Sequence, residues 1–177
     1  MMHQINQYSF NKSSSRQGSL GLLAPTNSVG LIDRSHIAVD LENLCGGSDA
    51  VPELASKMYR DLSKVVSFDR VQVVVAVGIN AWMKTPELGF LWPNARYLVG
   101  RGIDGADIRL VEDLIDEPQA LRSARVVIAS GDGRFAKCAE ILSEQGIEVI
   151  VVARHESLSR RLSAAASSVI YLPEINF

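Results

Sequence analysis

Three features of this 177-residue chain predict a three-layer α/β/α fold around a central, mostly parallel sheet of five to six strands. Short apolar runs alternate with segments of helical periodicity, which is the pattern of repeated βαβ units with right-handed crossovers. The runs are nearly continuous, as in Val71 to Val77, which suits strands buried on both faces. Turn and stop signals, such as Pro118 and Gly146, fall between the segments.

Residues 1–35 stand apart. They are rich in Ser, Asn, Gln and Gly, lack periodicity, and set Lys12, Arg16 and Arg34 against Asp33. The composition predicts a mildly basic, disordered tail, with one folded domain over 36–177. Ile37-Ala38-Val39 forms a first strand ending at Asp40, and Val51, Leu54, Ala55, Met58, Leu62 and Val65 recur at helical spacing behind Pro52. Val71–Val77 is a second strand, 78–92 a loop with a short helix, and Arg96–Val99 a third strand. A helix from about Gly105 faces Ile108, Val111, Leu114 and Ile115 inward. Val126–Ala129 is a fourth strand, followed by a helix over about 133–145, a fifth strand over Ile147–Val152, a helix over 158–166 and a last strand over Val169–Leu172.

A net charge of −2 means that any nucleic-acid contact must come from a local basic patch. Cys45 and Cys138 have no paired spacing, which argues against a disulfide framework or a zinc site and for reduced thiols in a cytoplasm. No apolar run approaches the ~20 residues of a membrane span. The expected location is cytoplasmic, with no membrane partner.

Ligands of such sheets bind beyond the carboxyl ends of the strands, so the residues that follow each strand matter most. Asp40 closes the first strand and Asn43 follows it. Asp104 and Asp107 come after the third, and Ser130, Asp132 and Arg134 after the fourth. Singly, Asp104 reads as a helix N-cap with Asp107 as its third-residue partner, Asp132 as another cap, and Asn43 as the closure of an Asx-type turn. Together, three strands ending in acids bring like charges close, which a cation would relieve. Oxygen donors with room for water suit Mg2+ or Mn2+.

These segments resemble the NYN domain family, a branch of the PIN-like nucleases with a Rossmann-like sheet. Ile37-Ala38-Val39-Asp40-Leu41-Glu42-Asn43-Leu44 is similar to its opening Asp-x-x-Asn motif. Gly105-Ala106-Asp107 with the helix behind it is similar to the second motif, and Ser130-Gly131-Asp132-Gly133-Arg134-Phe135 to the third. Gly146-Ile147-Glu148-Val149, and then Ser159-Arg160-Arg161-Leu162 with Val169-Ile170-Tyr171-Leu172, resemble the closing elements. The resemblance runs over about 36–172.

It implies a metal-dependent endoribonuclease that hydrolyses RNA phosphodiesters. Asp40, Asn43, Asp107 and Asp132 would be catalytic, and Asp40, Asp107, Asp132 and Asp104 would hold the metal. Asn43, Ser130, Arg134 and Arg101 would bind substrate, with Arg109, Lys137 and Arg154 among further basic residues at the rim. Asp113 ranks behind, because six residues past Asp107 is about 240° round a helix and roughly 9 Å along it. Asp104 stands where the family's second motif has Lys, and Arg134 where its third often has an acid. Those two departures motivate the alternative, a catalytically weakened PIN-like domain that binds RNA or a protein. A homodimer, and a protein partner captured by the tail, are further expectations. A nucleotide-handling enzyme is disfavoured, since the first strand is not followed by a glycine-rich phosphate loop.

Overall fold

The computed structural model describes residues 34–47 and 51–173, so of the basic tail expected over 1–35, residues 1–33 lie outside the described residues, while Ser35 already belongs to the first strand. Six strands form one sheet in the order β3-β2-β1-β4-β5-β6. They are β1 (Ser35–Asp40), β2 (Val71–Gly78), β3 (Arg96–Gly100), β4 (Arg125–Ala129), β5 (Glu148–Arg154) and β6 (Ser168–Leu172). Every pairing is parallel. The chain builds outward from β1 through β2 to β3, returns to lay β4 on the other side of β1, and then adds β5 and β6. Strand order therefore reverses between β1 and β4, the crevice at which such sheets bind ligands.

Alternation along each strand divides the core. Ile37 and Val39 of β1, Val73, Val75 and Val77 of β2 and Val127 of β4 face one layer. That layer contains α1 (Leu41–Leu44), α2 (Pro52–Val65), α3 (Ile79–Lys84) and α4 (Leu88–Leu91). Ala38, Val74, Ala76, Val126 and Ile128 face the other. There α5 (Gly105–Asp116) presents Leu110 and Leu114, α7 (Ala136–Glu144) presents Ala139 and Leu142, and α8 (Arg160–Ala165) presents Leu162. A strand period of two makes both faces apolar, which is why these strands read as unbroken hydrophobic runs.

The short α1, directly after β1, and α6 (Pro118–Leu121) were not foreseen, and the loop over 78–92 holds two short helices, α3 and α4. The helix expected from Gly133 starts later. A 3-10 turn over Gly133–Phe135 precedes α7 because the Asp132 side chain accepts the Arg134 N–H and holds the chain out of α geometry. Trp92 is buried, edge-on to Tyr59 at 5.4 Å, and Trp82 packs on Tyr97 at 5.2 Å, so both tryptophans serve the core. No helix among the described residues is long and apolar enough to cross a membrane.

One buried polar contact ties β1 to α5. His36 Nε2 lies 2.7 Å from Asp113 Oδ2, both side chains being out of solvent, and Arg96 donates to the other Asp113 oxygen. Asp113 is thus a supporting acid beneath α5, far round the helix from the acids at its start. Removing the carboxylate strands a buried imidazole, which costs about 2–3 kcal/mol. Asp113→Ala is expected to lower the urea midpoint with little change in slope, and Asp113→Asn to lose less.

Candidate functional site

The first three candidate residues are organised by the turn after β1. Asp40 ends the strand in an extended conformation, and its Oδ1 accepts the Asn43 N–H at 3.1 Å, capping α1. Its Oδ2 accepts the Ser130 hydroxyl at 2.8 Å, across the β1–β4 crevice. Asn43 Oδ1 in turn accepts the Gly131 N–H at 2.9 Å, and Ser130 Oγ accepts the Asp132 N–H at 3.1 Å. The two loops are thereby stitched together by side chains from both. Gly131 is required, since a Cβ there would come within 2.3 Å of the Ser157 carbonyl oxygen.

Asp40 is only 3% exposed. Burial pushes its carboxyl up to about 6, with the bonds from Ser130 and Asn43 opposing and the charges of Asp107 and Asp132 adding a little. Those two acids do face the same cleft, a cavity of about 370 Å³ that Glu42, Asn43, Arg154 and Ser157 also line. Glu42 was missed from sequence. It is visible as an acid in the first turn after Asp40, but its partner, the Gly78 N–H at 3.0 Å from Oε1, belongs to a different strand. Arg154, placed at the rim in the sequence reading, is 7% exposed and donates to the Asn43 carbonyl at 2.9 Å.

The remaining acids converge on Arg134. Its Nη1 lies 2.8 Å from Asp107 Oδ2 and 3.1 Å from Asp104 Oδ2, and its Nε lies 3.6 Å from Asp132 Oδ2. Desolvation works against the guanidinium charge, yet the three carboxylates outweigh it and hold the group more firmly protonated than usual. Burial raises the Asp107 carboxyl, with Arg134 pulling the other way. Asp104 is the N-terminal boundary of α5, in a left-handed conformation at φ 56° and without a side-chain cap bond, so its carboxylate is free to turn to Arg134. Arg101 is exposed beyond β3.

This arrangement overturns the expected metal centre. Among the described residues, no group of three or more His, Cys, Asp or Glu side chains could hold a metal ion. The expectation that Asp40, Asp104, Asp107 and Asp132 bind Mg2+ or Mn2+ therefore fails, and the metal-dependent endoribonuclease built on it fails too. The physical reason is that the oxygens already have protein donors: Asn43 and Ser130 at Asp40, the Arg134 N–H at Asp132, and the Arg134 side chain at Asp104 and Asp107. A fixed internal cation stands where the like charges needed one. The Asn43 side-chain oxygen accepts the Gly131 N–H, and Ser130, grouped with Asn43 as a substrate contact, is fully buried.

The fold and the crevice at the β1–β4 strand ends define a PIN-like domain of Rossmann-like topology. The model of the NYN domain matches residues 37–173, and the chain belongs to that family. Among solved structures, the chain is similar to a crystal structure of a Vibrio parahaemolyticus protein of unknown function. The likeness covers 83% of this chain and 100% of that one, at 17% identity and a TM-score of 0.58, and so concerns the fold alone. The search of curated proteins finds no match.

Two expected outcomes follow from the electrostatics. A carboxyl raised when folded favours the protonated state, so its contribution to stability is complete below about pH 4 and lost as pH rises through about 6. Asp40→Asn should accordingly be more stable than the parent at pH 8, by up to about 3 kcal/mol. That advantage should vanish by pH 4 in pH-resolved urea titrations. Arg134→Gln should be destabilised at pH 7 by about 1 kcal/mol, as suits a partly exposed cluster. The deficit should shrink in acid as the Asp107 carboxyl, raised by burial, protonates, which thermal melts across pH will read out.

Proposed function

We propose that this chain is a catalytically weakened PIN-like domain that acts as an RNA- or protein-binding module, with RNA the first reading. The observation that carries it is the Arg134 guanidinium lodged among Asp104, Asp107 and Asp132. An internal cation satisfies the electrostatics of the cleft without a bound ion, so the scaffold persists while the donor oxygens are withdrawn from chemistry. Membership of the NYN family is consistent with nucleic acid as ligand. A cytoplasmic location belongs to the same reading, supported by two buried free thiols, Cys45 and Cys138.

A protein ligand, including a second copy of the chain, is the other reading. It is favoured by Phe90 and Ile103, which are 87% and 91% exposed although large and apolar. Capture of a partner by the tail concerns residues outside the described ones.

Fluorescence anisotropy with labelled single-stranded RNA of mixed sequence separates these. Saturable binding of equal strength in EDTA and in Mg2+, with the RNA recovered intact, is the expected result. Cation-dependent shortening of the RNA would overturn a binding role. Absence of binding in both buffers would remove RNA as ligand and leave the protein reading.

A further inference from the structure

The edge of the sheet opposite the acids carries a cleft of about 630 Å³. Arg34, Arg70 and Arg122 line it, and among the described residues no Asp or Glu does. We infer that this arginine cleft, at the amino-terminal ends of β1 and β2, is the surface that grips the sugar-phosphate backbone of single-stranded RNA. The inference rests on RNA being the ligand and assigns it a site away from the crevice at the strand ends.

The cleft is built by the register of the sheet. Ser35 pairs with Val71, so Arg34 and Arg70 precede matched positions on neighbouring parallel strands, about 5 Å apart. The Arg34 carbonyl accepts the Ala124 N–H at 3.0 Å, which fastens the start of β1 to the approach to β4. Arg70 turns into β2 through a left-handed conformation at φ 55°. Arg122 follows α6, whose Ala120 is buried, so a packed helix end sets the third arginine. At the same edge Arg125 is already committed to Glu148 at 2.7 Å. Arg34, Arg70 and Arg122 make no ion pair among the described residues, and Asp69, the residue before Arg70, does not line the cleft.

Charge decides between the two edges. At the carboxyl edge Arg134 and Arg154 face a larger number of acids, and a phosphodiester would meet net repulsion there. β1 is six residues long, so the edges lie roughly 20 Å apart. That is about twice the screening length at 0.1 M salt, and the acids are little felt at the arginines. Guanidinium forks match phosphate oxygens, and three in one cleft suit successive phosphates of a flexible strand better than a single carboxylate. Gln72 and Gln119 add amides able to meet sugar or base edges. Among the described residues no aromatic ring lines the cleft, so the grip should depend little on base sequence.

The test is anisotropy with the full chain and labelled single-stranded RNA over a range of salt. The proteins are the parent, the double variant Arg70→Gln/Arg122→Gln, Arg34→Glu, and Arg60→Gln on the exposed face of α2 as control. The double variant is expected to bind roughly tenfold or more weakly for each contact removed. Its log–log salt dependence should be shallower by about 1.4, given about 0.7 per phosphate contact on single strands. Arg60→Gln should bind as the parent does. A folded double variant with parental affinity and slope overturns the arginine cleft while leaving RNA binding intact. A parent that binds no RNA overturns both. If the double variant does not fold, Arg34→Glu decides: weakened binding supports the cleft, and unchanged binding overturns it.

Discussion

Parallel strands deliver their carboxyl ends to one edge, and in this chain that edge collects acids. Asp40, Asp107 and Asp132 sense one another's charge, and the fold depends on having that repulsion answered. Arg134 answers it from within, by a guanidinium shared among three carboxylates. Asp40 is handled differently. It is sunk into the β1–β4 crevice, given two hydrogen bonds, and moved toward its neutral form by burial. Between them these two devices use up the oxygens that would otherwise have formed a cation site.

The same bonds explain why the crevice is a structural joint. Asp40, Asn43, Ser130 and Gly131 hold the two central strand ends together by side chain-to-loop bonds in both directions. Arg154 closes the arrangement from β5 by donating to the Asn43 carbonyl. At the other end of β1, His36 and Asp113 make a buried polar link to α5, and Arg96 reaches Asp113 from β3. The central strand is therefore anchored at both ends by polar contacts and along its length by apolar packing on both faces. Charge is left divided by edge, with acids around Arg134 and, at the far side, three arginines that make no ion pair among the described residues.

The sequence by itself determined the layer architecture, because hydrophobic period and strand length report directly on double-sided burial. Val71–Val77 as a buried strand, the α2 stripe through Ala55, Met58 and Leu62, and the stop at Gly146 are local consequences of side-chain chemistry. The order of the acids along the chain was legible too, and with it the family, since motifs at strand ends survive as short strings. Asp132 as a cap was visible for the same reason.

Only the tertiary structure decided what those acids do. Whether three carboxylates form a donor set depends on distances of a few ångströms and on which oxygens are already bonded, and neither is written in spacing. Arg134 was visible as a departure from the family pattern, but its reach to Asp104 and Asp107 depends on how the end of β4 faces the start of α5. The arginine cleft was hidden for a stronger reason. Arg34, Arg70 and Arg122 lie in three separate connections, and they become neighbours only through the parallel register of β1 and β2 and the packing of α6. Local propensity carries no information about such pairings, because the free energy that selects them comes from burying the whole sheet at once.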